Sequence, residues 1–226
     1  EFANWKTQLE AGIDRIGIGD TTLYDHVLDW SVRLGLIPDR FRHLSGLDQY
    51  FAMARGKDGI PALEMTKWFD TNYHYLVPEI ASDAQPQANF ADFLAMVQRS
   101  QSLLGERAVP IILSPITLLC LSRSEGDLET HLEKLLPLYR DLFSQLQGLG
   151  ITEVQVHEPI LVTSSATALR EAIALLFPTD RPTDSLTCSP HDHDRFLSPD
   201  LQSPTTAGKI QARRTNSSRI PSGDRC

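Results

Sequence analysis

Four times between residues 15 and 177 a short β-prone run breaks at polar residues, and helical spacing follows. The runs are Arg15–Asp20, Leu63–Phe69, Val109–Leu113 and Glu153–His157. After the first, Thr21 or Thr22 is placed to cap a helix reaching Leu34, with Gly35 ending it and Pro38 barring its continuation. Leu47–Arg55 reads as a shorter helix, and Phe90–Leu104 carries an apolar stripe through Phe90, Phe93, Leu94, Val97 and Leu104. Leu128–Leu149 is the longest helical pattern, and Thr167–Phe177 is the last.

Strand, polar loop and helix in repetition are the pattern of parallel βαβ units, so the fold class is α/β. Pattern alone leaves barrel and open sheet both standing. In either case the polar breaks fall at one place, the C-terminal ends of the strands: Gly19-Asp20, Asp70-Thr71-Asn72, Ser114-Pro115 and His157-Glu158-Pro159. Ligand sites of α/β folds are built along that edge.

The pattern stops near Pro178. Beyond it Ser, Thr, Pro, Asp and Arg dominate, and Leu186, Phe196, Leu197, Leu201, Ile210 and Ile220 follow neither the helical nor the strand period. Such a segment buries too little apolar surface to offset the entropy of ordering it. Two regions are therefore expected: an ordered 1–177 and a disordered low-complexity tail, 178–226. A switch this abrupt is what a shifted reading frame or a misplaced gene boundary would produce.

The formal charge of the chain is −8 and its acidic excess lies before Pro178, with no basic cluster there to neutralise a phosphate backbone, so nucleic acid is not the expected partner. No apolar run approaches the roughly 20 residues of a bilayer-spanning helix, and the opening residues have no basic flank or apolar core of a secretory signal. Cys120, Cys188 and Cys226 are too scattered for a disulfide framework or a zinc knuckle, which fits a reducing, cytoplasmic setting.

The densest chemistry lies in Glu64-Met65-Thr66-Lys67-Trp68-Phe69-Asp70-Thr71-Asn72-Tyr73-His74-Tyr75-Leu76-Val77-Pro78-Glu79. Lys67 and His74 are poor core residues, and they stand here among four aromatics. Read by composition, the segment is either a pocket for an anion with an aromatic wall or a packed loop.

The same segment closely resembles cobalamin-independent methionine synthase, whose members carry Asn and Met where Asp70 and Leu76 stand here. Further stretches agree in order. Ala11–Asp14 through Gly19-Asp20 and Tyr24–Leu28 resemble the family's second strand and its helix, Pro110–Thr117 its fourth strand, and Gly150–Pro159 its fifth. The resemblance covers roughly Phe2 to Ala172.

It implies an incomplete (β/α)8 barrel, about strands two to five, belonging to a zinc-dependent methyltransferase that uses no cobalamin. Such enzymes move a methyl group from 5-methyltetrahydrofolate polyglutamate to homocysteine in methionine biosynthesis. In the family the zinc, which turns the thiol into a thiolate, and the homocysteine site belong to a second barrel. Their ligands are not expected in this chain, which alone is expected to be inactive. One functional residue carries over: Lys67 matches the Lys of Met-Thr-Lys-Trp, which contacts the folate. A flexible ammonium suits the carboxylates of a glutamate chain. Trp68, Asn72, Tyr73 and His74 receive no role beyond a packed loop, and no catalytic or metal-binding residue is assigned.

Departures accompany the match. The family's opening strand, with its Arg-Glu-Leu-Lys folate contact, is not represented. Asp-Glu-Pro at the fifth strand reads His157-Glu158-Pro159 here, best taken as a hydrogen-bonded strand end. His191-Asp192-His193-Asp194 beside Cys188 has metal-ligand spacing but no scaffold to orient ligands, and Cys120 is expected to be a buried thiol. Two other readings stand beside the first: a non-catalytic remnant that binds nothing specific, and a related zinc-dependent thiol alkyltransferase or decarboxylase barrel.

Overall fold

The computed structural model describes residues 1–162 and the pair 187–188. The helix expected at Thr167–Phe177, the His191–Asp194 stretch and the rest of the tail apart from Thr187–Cys188 lie outside the described residues. In chain order the elements are α1 (Phe2–Glu10), β1 (Ile16–Ile18), α2 (His26–Arg33), α3 (Gly46–Arg55), β2 (Met65–Lys67), β3 (His74–Leu76), β4 (Glu79–Ile80), α4 (Ala91–Leu104), β5 (Ala108–Leu113), α5 (Pro115–Cys120), β6 (Arg123–Ser124), α6 (Leu128–Gly148), β7 (Glu153–His157) and β8 (Thr187–Cys188). Single-turn 3₁₀ segments punctuate them at Asp39–Phe41, Gly105–Arg107 and Pro159–Val162.

A parallel sheet of order β1-β5-β7-β8 organises the molecule. Every residue of β5 is buried, as expected of a central strand covered on both faces. The chain is thus α/β with a parallel sheet. One expected member of that sheet is elsewhere. Met65–Lys67 pairs antiparallel with His74–Leu76 in a separate hairpin, with Lys67 opposite His74. Met65 and Lys67 are exposed, whereas a strand inside a parallel sheet would be buried on both sides. A third, two-stranded piece joins Glu79–Ile80 to Arg123–Ser124 in parallel.

Helix α2 also starts later than its threonines suggest. Its N-cap is Asp25, extended at φ −149° and ψ 138°, whose carboxylate accepts the Leu28 N–H at 2.9 Å. It ends as the sequence indicates, with Gly35 at φ 70° and the Leu36 N–H bonded to the Ser31 carbonyl at 2.9 Å. A β-carbon on Gly35 would stand 2.5 Å from the Gln87 carbonyl oxygen, so this turn requires glycine twice over.

The main core gathers around Trp30, which is fully buried. Its ring stacks on Tyr139 of α6 with centroids 6.2 Å apart and meets Phe93 of α4 edge-on at 5.5 Å. Three helices are thereby joined beside the strands, whose Ile16, Ile18, Ile112, Leu113 and Val154 complete the same cluster. A smaller cluster of Leu28, Phe41, Tyr50, Met53, Leu63 and Leu76 seats α3 and the foot of the hairpin against α2. Cys120, expected to be buried, is only half-buried at the end of α5.

Candidate functional site

The C-terminal ends of β5 and β7 lie side by side, with Leu113 paired to His157 and the Ser114 N–H bonded to the His157 carbonyl at 3.0 Å. Ser114 caps α5 by accepting the Ile116 N–H at 3.1 Å. Its neighbour on that helix, Thr117, donates its hydroxyl to the buried carboxylate of Glu158 and receives the Ile160 N–H at 3.4 Å. Burial pushes the Glu158 carboxyl above its usual range, against the lowering effect of its hydrogen bonds to Ser114 and Thr117. Glu158 therefore clamps α5 onto the end of β7, and its oxygens are committed to that clamp. The expectation of a hydrogen-bonded strand end at His157-Glu158 agrees with this geometry.

His157 projects from the same strand end. Gln155 approaches its Nε2 at 3.1 Å, and the imidazole of His26, from the first turn of α2, stands 5.8 Å away between ring centroids. Burial, reinforced by His157 and Arg33, lowers the His26 pKa to about 3, so this ring is neutral at physiological pH. Its Nε2 is buried without a hydrogen-bond partner among the described residues.

Asp25 joins this strand edge to the hairpin. One carboxylate oxygen accepts the Tyr73 hydroxyl at 2.7 Å, and the other accepts the Leu28 and Leu76 N–H groups at 2.9 and 3.2 Å. Desolvation raises the Asp25 carboxyl, and those donors pull it back. A parallel arrangement lies one turn along, where the Tyr50 hydroxyl donates to Asp29 at 2.6 Å and receives the Tyr24 N–H at 3.1 Å. Both phenols are pushed well up, first by burial and next by their carboxylate partners.

The hairpin displays the residues singled out in the sequence. Lys67 is exposed and has no ion-pair partner among the described residues. Trp68 is half-buried and meets Phe69, Tyr73 and Tyr75 edge-on at 5.2, 6.3 and 5.8 Å. Asn72 lies at the exposed tip, and its carbonyl is 3.0 Å from Nδ1 of the exposed His74. Phe69 takes a left-handed backbone (φ 50°), which turns the tip. An ammonium without an ion pair among the described residues, on the same hairpin as these aromatics, suits an anionic ligand with a flat ring system.

The structure thus keeps Lys67, Trp68, Tyr73 and His74 together and links Tyr73, but not Lys67, to the strand edge. Sequence reasoning did not single out Asp25, His26 or Thr117 as parts of this edge. An Asp directly before a helical run is the one local signal that was present, since it is a preferred N-cap. Among the described residues, no three His, Cys, Asp or Glu side chains converge to hold a metal ion.

Comparison with known proteins gives a consistent result. The family model described as cobalamin-independent synthase, N-terminal domain, matches residues 1–181. A protein of Synechococcus sp. named 5-methyltetrahydropteroyltriglutamate–homocysteine methyltransferase is 68% identical over 177 residues, which cover 78% of this chain and 24% of that protein. Proteins of the same name from Thermosynechococcus vestitus and Coxiella burnetii are 60% and 47% identical, over 80% and 72% of this chain and 24% and 22% of their own lengths. The chain therefore spans about a quarter of the length of the curated relatives it matches.

Proposed function

The chain belongs to the cobalamin-independent methionine synthase family and corresponds to part of its N-terminal domain; from that premise we propose that it forms the folate-side surface of a methyltransferase. The overall reaction moves a methyl group from 5-methyltetrahydropteroyl triglutamate to homocysteine, giving methionine. The chain's own part is to hold the folate by its glutamate tail, with Lys67 as the cation. The observation that carries this reading is an exposed ammonium, without an ion pair among the described residues, on the hairpin that also carries the Trp68–Tyr73 ring pair, in a chain 68% identical to a protein named for that substrate.

The physical basis is simple. A polyglutamate tail presents several carboxylates on a flexible chain. A lysine on a hairpin can follow them without the fixed fork geometry that arginine demands. The pterin and benzoyl rings at the other end of the ligand suit edge and face contacts with aromatic side chains.

Zinc would supply a thiolate from homocysteine at neutral pH. The described residues do not fit that metal, since His26 and His157 have no third ligand beside them and Gln155 occupies one ring nitrogen. The chain alone is proposed to be inactive in methyl transfer. The parallel sheet is proposed to be part of a (β/α)8 barrel that the remainder of a relative's length would close, in a cytoplasmic enzyme.

Calorimetric titration with the folate triglutamate tests the reading. Saturable binding that weakens about tenfold in Lys67→Ala is expected, the scale of a charge-assisted contact of about 1.4 kcal/mol. No heat at millimolar ligand would instead favour a remnant that binds nothing specific. Methionine formation by the chain with zinc, well above a zinc-only control, would contradict its proposed inactivity.

A further inference from the structure

Beyond the assignment of Lys67, on which this inference rests, the structure shows what holds that lysine in place. The β2–β3 hairpin lies outside the parallel sheet, and its tip is bonded mostly to itself. The Trp68 N–H reaches the Tyr73 carbonyl at 2.8 Å, while the Thr71 N–H and hydroxyl reach the Trp68 carbonyl at 3.2 and 2.6 Å. The Tyr73 N–H returns to the Thr71 hydroxyl at 3.2 Å. Among the described residues, the hydrogen bonds that leave residues 67–74 run through one atom, the Tyr73 hydroxyl. It donates to Asp25 at 2.7 Å and receives the His26 N–H at 3.4 Å.

Two features set this contact apart from an ordinary surface bond. Asp25 is 1% exposed and fixed from three directions, by its own helix, by β3 and by Tyr73. The Tyr73 ring itself is 45% exposed, so the hydroxyl is anchored while the ring contributes little to the core. A rigid acceptor on α2 and an outlying donor on the hairpin make a latch. Lys67 stands across the hairpin from His74, the neighbour of Tyr73, so the latch also sets where the ammonium stands relative to the strand edge.

We propose that Tyr73, through the carboxylate of Asp25, is a positioning residue that holds the hairpin so that Lys67 meets the anionic tail of the ligand in a preset geometry. Its contribution is preorganisation. Trp68 and Phe69 already pack against the main core, so the hydroxyl's part is to fix the tip more closely; a looser tip would have to be ordered at binding, and affinity would fall by the cost of ordering it.

Tyr73→Phe removes the hydroxyl and nothing else, so it tests the proposal on the whole 226-residue chain. Two readouts are taken. Without ligand, hydrogen exchange of the amides at 67–75 is expected to become at least about tenfold faster in the variant, with exchange in β5 and β7 unchanged. With folate triglutamate, affinity is expected to fall about tenfold. Lys67→Ala and Lys67→Ala/Tyr73→Phe should then bind equally weakly, because a positioning residue has no effect once the group it positions is gone. A general loss of stability would make the two effects add. Equal binding by Tyr73→Phe and the unaltered chain overturns positioning and leaves the Lys67 assignment standing. No binding by the unaltered chain overturns the Lys67 assignment, and the exchange readout still decides on the latch. Unchanged exchange at 67–75 overturns it.

Discussion

The imidazoles of His26 and His157 face one another with ring centroids 5.8 Å apart and planes tilted by 53°, one from the start of α2 and the other from the last residue of β7. The Nε2 of His26 is buried and has no hydrogen-bond partner among the described residues.

That relationship predicts an acid weakness. The His26 pKa falls from 6.5 in the unfolded chain to about 3 when folded, so between those values the unfolded state binds the extra proton. Its contribution is fully present above pH 6.5 and is lost as pH falls toward 3. The loss is expected to be on the order of 2–3 kcal/mol by about pH 4.5. Asp25, Asp29 and Glu158 have raised values and act in the opposite sense, so the His26 part is read by difference. Chemical denaturation of His26→Phe should show a shallower acid-side decline than the unaltered chain. Parallel pH profiles would refute it.

Glu158 holds Thr117 in a buried pair, and the two kinds of substitution should separate. Glu158→Ala leaves the Thr117 hydroxyl unsatisfied and opens a small void, at an expected cost of about 2–3 kcal/mol. Glu158→Gln keeps an acceptor and never ionises. The carboxyl of Glu158 is raised above 4.5, so its favourable contribution is present at low pH and is lost as pH rises through the folded value. The Gln variant should therefore gain on the unaltered chain as pH rises from about 4.5 to 8, in denaturant midpoints measured across that range.

Trp30 joins three helices, through Phe93 and Tyr139 as well as its own helix. Trp30→Ala is expected to cost about 3–5 kcal/mol, which a chain of this size would register as loss of a cooperative transition. Trp30→Phe should cost far less, because the buried indole N–H has no partner to lose. Thermal melts by circular dichroism check both.

Gly35 and Gly12 share a left-handed backbone, at φ 70° and 79°, but differ in surroundings. An added β-carbon meets nothing within 4 Å at Gly12 and the Gln87 backbone at Gly35. Gly12→Ala should cost about 1 kcal/mol of backbone strain alone, and Gly35→Ala at least twice that. Equal costs would mean that the Gln87 segment yields freely.

How much of this was legible in the sequence varies with the range of the interaction. β7 and α6 follow from local pattern: Glu153–His157 is a strand between a glycine exit and a proline stop, and Leu128–Gly148 keeps one apolar stripe over five turns. The start of α2 was misplaced because Thr21, Thr22 and Asp25 are all good caps, and only Asp25 has its oxygens within reach of Leu28. Met65–Lys67 carries a local sign of its placement outside the parallel sheet. Its polar, alternating residues differ from the unbroken apolar run of β5, and that difference separates a half-exposed hairpin from a sheet interior. The Tyr73–Asp25 bond spans 48 residues, and no local pattern carries a contact of that range.

The central claim is that Lys67 holds a polyglutamate tail, and the number of glutamates tests it most directly. Affinities of the chain for methyltetrahydrofolate with one and with three glutamates are compared at low and high salt. The triglutamate should bind about tenfold tighter at low salt, with the advantage lost in Lys67→Ala and reduced by screening at high salt. Equal affinity for both ligands, or an advantage that survives Lys67→Ala unchanged, would contradict the account.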